Sequence, residues 1–280
     1  MANATERIVI LGGRGYLGQY FLRHYPGASV PGVDITDRQK VAEMLDAERP
    51  TVVINCAGKT GRPNVDWCES HKLETVKANV TGSLIVMEEC LDRQVFLCHI
   101  SSGCIYAGDN DGKGFSEEDA PNFAGSFYSR TKAWSDQIMR DFPVLTVRLR
   151  MPFDGTTGDR NLIMKIRKYT RVLNEPNSLT HLPEFIQATT ALISRRTTGI
   201  FNIVNEGTIS PLDIMRLYRE IINPEQKFEE LTKDQIGEVA RAGRSNCFLD
   251  SSKLRAAGLG LRPVREAVIS ALSDLKKVLR

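Results

Sequence analysis

The amino-acid sequence predicts an α/β fold, a Rossmann-like doubly wound parallel sheet followed by a smaller C-terminal lobe. Short apolar runs of strand length alternate with helical segments through the first half of the chain. A glycine-rich turn follows the first of these runs. The chain of 280 residues, with 41% hydrophobic and 25% charged residues, is also long enough and apolar enough to bury a sizeable core.

The first half supplies most strands of the predicted sheet. A continuous apolar run predicts a buried strand at residues 8–11, and largely apolar segments predict further strands at residues 52–55, 95–100 and 144–149. Helical segments are predicted around them at residues 17–24, 65–77, 81–92 and 128–140. Because helices separate successive strands, we expect the strands to pair in parallel.

The second half has a more mixed pattern. Helices are predicted at residues 161–169, 184–194 and 264–279, and a strand that returns to the sheet at residues 200–204. Ser210, Pro211 and Asp213 form a helix start, with serine as the N-cap, proline next and an acid in the third position. The expected domains are a Rossmann domain of residues 1–152, joined by 183–205, and a lobe made of residues 153–182 and 206–280.

Composition and charge exclude several classes of protein. The formal charge is +3, too weak to indicate a nucleic-acid groove. No run approaches 18 apolar residues, so we expect no transmembrane helix. Residues 1–7 are polar and carry no signal-peptide core, which predicts a cytoplasmic protein.

The cysteines do not predict a metal site or a disulfide framework. The cysteines are scattered and form no C-x-x-C pair. None of the four histidines lies near a cysteine at the spacing typical of zinc ligands. We therefore expect reduced thiols and no metal. The cysteines are Cys56, Cys68, Cys90, Cys98, Cys104 and Cys247.

The glycines after the first strand form the pattern G-x-x-G-x-x-G. Gly12 permits a tight turn, Gly15 lets the backbone approach a pyrophosphate, and Gly18 lets the helix pack close to the strand. The amides and dipole of the following helix favour an anion at its N-terminus. The turn therefore predicts a dinucleotide site.

The same region bears on which dinucleotide binds. An acid that binds the adenosine ribose is expected about 20 residues after the turn, where Asp34 is found. The stretch before it is too short for a full second strand, so we place Asp34 and Ile35 at the adenine edge. Arg14 is then able to meet a 2′-phosphate, which favours NADP (NADPH) and leaves NAD as the alternative.

A second pattern predicts reducing chemistry. Tyr128 and Lys132 lie four residues apart on one face of a helix, so that the ammonium favours the phenolate form of the tyrosine. Such a phenol exchanges a proton with a substrate oxygen near neutral pH. Ser102, at the end of the predicted strand 95–100, can donate a hydrogen bond to the carbonyl that is reduced.

With these motifs the chain resembles the extended short-chain dehydrogenase/reductase family. Within this family, several sequence motifs resemble those of the nucleotide-rhamnose synthase/epimerase-reductases, which are related to dTDP-4-dehydrorhamnose reductase. The most specific motif is TGRPNVDWCESHK at residues 60–72. The others lie at residues 103–105, 121–123, 125–129, 148–152, 176–178 and 244–246.

The resemblance implies one site with two activities. Such enzymes invert C3 and C5 of a UDP- or dTDP-linked 4-keto-6-deoxy-D-glucose and then reduce C4 with NADPH, giving a nucleotide-L-rhamnose. The epimerase pair of the family maps onto Cys104 and Lys165, and the roles of acid and base stay open between them. Tyr128 and Lys132 are also expected to contact the cofactor, with Lys132 holding the nicotinamide ribose. The further cofactor contacts expected are Tyr16, Leu17, Ala57, Gly58 and Asn79; for Asn79, support of the Tyr128 site and a structural capping role are the alternatives.

A nucleotide-sugar substrate needs cations for its diphosphate and amides for its hydroxyls and base. The candidates are Arg62, Asn64, Asn161, Asn177, Arg244 and Asn246. The chain departs from the family at residues 158–161, which read GDRN in place of NPRN, at Ser101, where relatives often carry Ala, and at His181, which replaces an aliphatic residue.

Three alternatives remain open from the sequence. The first is a reductase that lacks epimerase activity, and the second is a GDP-4-keto-6-deoxymannose epimerase/reductase. The third is a non-catalytic, NADP-binding regulatory subunit, against which Ser102, Tyr128 and Lys132 argue. A homodimer is also compatible with the sequence.

Overall fold

A computed structural model of the chain describes residues 6–279, so that most of the polar N-terminal segment lies outside the described residues. The chain divides into two compact units. The first unit contains the chain up to Ile105, with Phe123–Arg148 and Thr189–Phe201. The second unit contains Tyr106–Asn122, Leu149–Ala188 and the chain from Asn202.

The first unit is built on the predicted sheet. Its strands, in spatial order, are β1 (Ile8–Leu11), β2 (Val52–Asn55), β3 (Phe96–Ser102), β4 (Leu145–Leu149) and β8 (Gly199–Asn202). The pairs β1–β2 and β2–β3 are parallel, with Ile10 beside Ile54 and Ile54 beside Cys98. The fold class is thus confirmed, and the predicted strand 200–204 does return to the sheet.

The other side of β1 carries a much shorter pairing. Val9 forms a parallel β-bridge with Ser29, and Ser29 exchanges backbone hydrogen bonds with Ile8 and Ile10. The chain therefore leaves β1 to one side and later returns to pair with β2 on the other. In open α/β sheets, ligands bind at such a reversal, beyond the carboxyl ends of the strands.

Helices surround this sheet. They are α1 (Tyr16–His24), α2 (Arg38–Glu48), α3 (Trp67–Ser70), α4 (Lys72–Val76), α5 (Gly82–Asp92) and α6 (Phe127–Met139). The predicted helix at 65–77 is broken at His71, and a π-helical turn, Lys77–Thr81, precedes α5. Helix α2 was not predicted from the sequence; it begins where the Asp37 side chain accepts a hydrogen bond from the Lys40 backbone amide.

The second unit has its own small sheets and helices. These are β5 (Pro152–Phe153), α7 (Leu162–Ile166), β6 (Arg171–Leu173), β7 (Thr180–His181), α8 (Leu182–Ser194), α9 (Pro211–Ile221), β9 (Glu229–Leu231), a 3-10 turn (Lys233–Glu238), α10 (Ser252–Ala256) and α11 (Val264–Leu279). The strands pair in parallel as β5–β7 and β6–β9. The boundary between the units at residues 188 and 189 falls within α8.

Each unit buries a separate apolar cluster. Val9, Val41 and Val86 belong to the cluster of the first unit, and Phe153, Met215 and Leu272 to that of the second. The predicted helix start at Ser210 is confirmed, since its hydroxyl accepts a hydrogen bond from the Asp213 backbone amide. In residues 6–279, no helix has both the length and the apolar character that crossing a bilayer requires.

The unit boundaries differ from the expected domains most at Tyr106–Asn122, and also at residues 149–152, 183–188 and 202–205, which all belong to the second unit. The segment Tyr106–Asn122 follows β3 and lies inside the expected Rossmann domain of residues 1–152, but it belongs to the second unit. It forms parallel bridges there, from Gly108 to Cys247 and from Phe115 to Leu249. Pairing across about 140 residues leaves no local signal in the sequence.

Candidate active site

The glycine turn has the geometry that a pyrophosphate requires. Gly12 has a φ of +69°, and the Gly15 amide closes the turn on the Gly12 carbonyl at 2.8 Å. Gly15 is the N-cap of α1. Because glycine has no side chain, no side-chain hydrogen bond caps the first turn of α1. A Cβ at Gly15 would lie 3.1 Å from the Gly12 carbonyl oxygen, closer than an ordinary van der Waals contact. The turn therefore fits a bound diphosphate.

Gly18 holds α1 against this turn. A Cβ at Gly18 would lie 2.5 Å from both the Gly12 carbonyl oxygen and the Gly13 Cα, which are backbone atoms and cannot rotate away. The close approach predicted for Gly18 is thus present. It fixes the distance between the start of α1 and the end of β1.

We expect Gly18→Ala to lower the free energy of unfolding by about 1–3 kcal/mol, because the added methyl group collides with backbone. Urea unfolding followed by circular dichroism measures this change. Gly27→Ala is the matched control, since a Cβ there meets nothing within 4 Å in the described chain. Equal stability of the two variants would contradict the close approach.

The residues assigned to the adenine edge are only partly as expected. Arg14 is exposed in the glycine turn, where it is open to a ligand. The Asp34 side chain is exposed, and hydrogen bonds from the Thr36 backbone amide and hydroxyl lower the pKa of its carboxyl group. Ile35 differs from the expectation, because its side chain is buried in the apolar cluster and packs against Gly82.

Asn79 connects the end of β2 to helix α6. From the π-helical turn, its amide accepts a hydrogen bond from the Lys59 backbone amide at 2.7 Å and donates to the Lys59 carbonyl and to Thr131 Oγ1. The Thr131 hydroxyl in turn donates to the Tyr128 carbonyl oxygen. Asn79 therefore supports the helix of Tyr128. The nearby Ala57 amide donates to Asn55 Oδ1, which holds the loop beside Gly12.

The end of β3 brings two predicted site residues together. The Ser102 side chain is buried and its hydroxyl oxygen accepts a hydrogen bond from the Cys104 backbone amide at 3.2 Å. Cys104 is half-buried. Both residues thus lie at the carboxyl end of β3, which neighbours β2 in the sheet.

Helix α6 is fixed at its start by two residues that were not predicted from the sequence. Ser126 is the N-cap and accepts a hydrogen bond from the Ser129 amide, while Glu69 Oε1 accepts one from the Phe127 amide at 2.6 Å. A serine before the helix was a readable capping signal. Glu69 comes from α3 and carries no local signal. These contacts position Tyr128 in the first turn of α6.

Lys132 follows Tyr128 by one helical turn and is 5% exposed. Its Nζ donates a hydrogen bond to the Ile100 carbonyl oxygen of β3 at 3.0 Å. Burial lowers the pKa of the Lys132 ammonium from 10.5 to about 8, although the charges of Asp136 and Cys104 act in the opposite direction. Lys132 is thus a buried amine whose titration lies near physiological pH.

The lowered pKa predicts a pH-dependent loss of stability. Below pH 8 Lys132 is protonated in both the folded and the unfolded chain. Burial of its charge then lowers the free energy of unfolding by about 3 kcal/mol. Between pH 8 and 10.5 the folded state releases its proton first, and stability rises. We expect wild type to gain about 3 kcal/mol relative to Lys132→Met between pH 7 and 10.5.

Urea unfolding at several pH values measures the difference between wild type and Lys132→Met. Lys168→Met is the control, because this lysine is exposed at the surface. The difference between wild type and this control should not vary with pH. A constant difference for Lys132→Met as well would contradict the buried charge.

The second unit holds the other member of the predicted epimerase pair. Lys165 lies on α7 and is half-buried, and burial followed by the charge of Arg160 lowers the pKa of its ammonium. Asn161, the N-cap of α7, uses its amide entirely inside the unit. It accepts from the Ile163 amide and donates to Asp154 and Thr156. Asn161 therefore caps α7 and packs inside the unit, whereas the sequence predicted a contact with substrate.

Asn177 differs from the expectation in the same way. It is fully buried, accepts hydrogen bonds from Arg150 and the Cys247 amide, and donates to Asn246 Oδ1 and the Glu175 carbonyl. All four positions of its amide group are occupied by protein, so it orders the segment around Asn246, whereas the sequence predicted a contact with substrate.

The remaining candidates stay compatible with substrate binding. Arg62 is exposed, and Asn64 Oδ1 accepts a hydrogen bond from the Asp66 amide. Arg244 is half-buried and donates to the Ala242 carbonyl. His181 is buried, with Nδ1 3.0 Å from Glu184 Oε1, and so belongs to the interior of the second unit.

The chain resembles a family of sugar-nucleotide enzymes over nearly its full length. The family described as RmlD substrate binding domain matches residues 6–277. A bifunctional dTDP-4-dehydrorhamnose 3,5-epimerase/dTDP-4-dehydrorhamnose reductase of Arabidopsis thaliana is 39% identical over 250 residues, with 87% of this chain and 83% of the relative covered.

A trifunctional UDP-glucose 4,6-dehydratase/UDP-4-keto-6-deoxy-D-glucose 3,5-epimerase/UDP-4-keto-L-rhamnose-reductase of the same plant is 40% identical over 242 residues. The match covers 84% of this chain and 36% of that relative, so the chain spans about a third of its length. Among solved structures, the L780 UDP-rhamnose synthase of Acanthamoeba polyphaga mimivirus is 31% identical, with a TM-score of 0.91 and coverage of 96% and 99% of the two chains.

Proposed function

The chain belongs to the family of the RmlD substrate binding domain, and on that premise we propose that it is an NADPH-dependent nucleotide-sugar oxidoreductase. More specifically, we propose a bifunctional 3,5-epimerase/4-reductase that converts a UDP- or dTDP-linked 4-keto-6-deoxy-D-glucose into the nucleotide-L-rhamnose. The main observation in its favour is the buried Lys132, one turn after Tyr128, with Ser102 and Cys104 at the adjacent strand end.

The reduction adds a hydride to C4 of the sugar and a proton to its oxygen. When bound, NADPH supplies the hydride. Tyr128 gives its phenolic proton to the C4 oxygen, and Ser102 donates a hydrogen bond to the same atom. The Lys132 ammonium stabilises the phenolate that is left behind, because an opposite charge nearby favours the ionised form. The product is a secondary alcohol.

The inversion at C3 and C5 moves protons without changing the oxidation state. The C4 ketone acidifies the C–H bonds on both sides, so that one group removes a proton and another returns one to the opposite face of the ring. A thiol can carry out such a proton transfer, and so can an amine whose pKa is lowered by burial, as that of Lys165 is. Cys104 and Lys165 are our candidates, and the relatives named above carry both activities in their names.

The proposal is tested by supplying the purified protein with NADPH and UDP- or dTDP-4-keto-6-deoxyglucose in deuterated water. We expect the absorbance of NADPH at about 340 nm to fall and the product to be L-rhamnose with deuterium at C3 and C5. NADPH consumption only after a separate epimerase is added would leave a reductase without epimerase activity. No consumption with either substrate would refute the proposed function.

A further inference from the structure

Helix α6 carries a third ionisable residue on the face of Tyr128 and Lys132. Asp136 follows Lys132 by four residues, as Lys132 follows Tyr128, so that the three side chains project from successive turns. Asp136 is 1% exposed, and the reduction described above does not use it. A buried carboxylate needs hydrogen-bond or ion-pair partners within the protein, and its place on the face of Lys132 calls for an explanation.

The partners of Asp136 come from two neighbouring strands. Ser101 of β3 donates its hydroxyl to Asp136 Oδ1 at 2.7 Å. Arg148 of β4 donates from Nε to Oδ1 at 3.1 Å and from Nη2 to Oδ2 at 2.5 Å. Arg148 is 0% exposed, so this ion pair is shielded from water. The carboxylate is therefore held in one position, and Ser101, expected to matter little, has a defined contact.

The charges around Lys132 explain what a fixed carboxylate does there. Lys132 and Arg148 are both buried and positively charged. Asp136 carries the opposite charge: it forms an ion pair with Arg148 and lies one turn of α6 from Lys132. From β3, burial and the charge of Lys132 hold the pKa of His99 well below its usual value, so this ring is neutral. The charge of Cys104 also raises the pKa of the Lys132 ammonium, but less than the charge of Asp136 does.

We propose that Asp136 is a positioning residue: Ser101 and Arg148 fix its carboxylate one helical turn from Lys132, where its negative charge keeps the buried ammonium protonated. The significance for catalysis rests on the proposed function, because there the Lys132 charge stabilises the Tyr128 phenolate. The electrostatic part concerns the chain itself and can be measured without cofactor or substrate.

The test is an NMR titration of the apo protein labelled with 13Cε-lysine, in which the Lys132 signal is assigned by its absence in Lys132→Met. Wild type should titrate at about pH 8. In Asp136→Asn we expect the midpoint to fall by about one pH unit or more, since an opposite charge nearby typically shifts a pKa by that amount. The matched control is Asp46→Asn, which breaks a surface ion pair with Arg93 and should leave the midpoint unchanged.

A second variant keeps the test decisive if Asp136→Asn does not fold. Arg148→Met removes the cation that neutralises Asp136 and leaves the carboxylate in place, so the Lys132 midpoint should rise. A merely structural role predicts no shift in either direction. Unchanged midpoints in the folded variants, or a shift of Arg148→Met toward lower pH, would overturn the proposal.

The same variants separate this inference from the proposed function. If the protein reduces the keto sugar, the alkaline limb of the pH profile of kcat/KM should move to lower pH in Asp136→Asn, in parallel with the NMR midpoint. A protein without reductase activity would refute the proposed function and leave the titration result standing. Movement of the NMR midpoint without movement of the alkaline limb would refute the catalytic part of the inference alone.

Discussion

Replacing Tyr128 by phenylalanine is expected to lower kcat for NADPH-dependent ketone reduction by about a thousandfold, since a positioned general acid contributes roughly 10²–10⁴-fold. The variant removes one oxygen atom from the first turn of α6. The helix cap at Ser126 and the contacts of Asn79 with Lys59 and Thr131 involve other atoms and remain. Steady-state assays at saturating NADPH measure the loss.

The control for this variant is Tyr169→Phe, which removes the same oxygen from an exposed tyrosine of the second unit. It should keep kcat within about twofold of wild type, as surface substitutions usually have small effects. NADPH titration by fluorescence should show that Tyr128→Phe still binds the dinucleotide, because the glycine turn is untouched. A Tyr128→Phe enzyme with near-normal kcat would exclude the phenol as the proton donor.

The parts of the fold that the sequence predicted are those with local patterns. The strands of the five-stranded sheet lie in largely apolar segments, and the turn from β1 to α1 is marked by glycines whose spacing follows from backbone geometry. The pair of Tyr128 and Lys132 is likewise local, since four residues on a helix define one face. Such features need no knowledge of the rest of the chain.

The parts that the sequence did not predict depend on contacts between distant residues. Asn161 and Asn177 look like residues that bind sugars, but their amides are occupied by groups from up to 70 residues away. Asp136 reads as a polar helix residue until Ser101 and Arg148 are placed beside it. A polar side chain alone does not reveal whether its partner is substrate or protein.

Replacing Cys104 by alanine is expected to impair the inversion at C3 and C5. In Cys104→Ala we expect deuterium incorporation at C3 and C5 of the keto sugar to fall at least a hundredfold, because the variant has no acidic group at the end of β3 to carry the proton. NADPH-dependent reduction of the already inverted 4-keto-L-rhamnose nucleotide should stay within about threefold of wild type. Ser102, Tyr128 and Lys132 are all retained in this variant.

Lys165→Met provides the matching experiment on the second unit, and the same loss of deuterium incorporation is expected there. Cys90→Ala, which removes a buried thiol from α5, and Lys168→Met, which removes an exposed amine near α7, are the controls and should retain the exchange. NMR of the sugar resolves C3 from C5, so a variant that loses exchange at one carbon shows which proton its side chain transfers. Full exchange at both carbons in Cys104→Ala would mean that the thiol takes no part in the inversion, because a methyl group cannot transfer a proton.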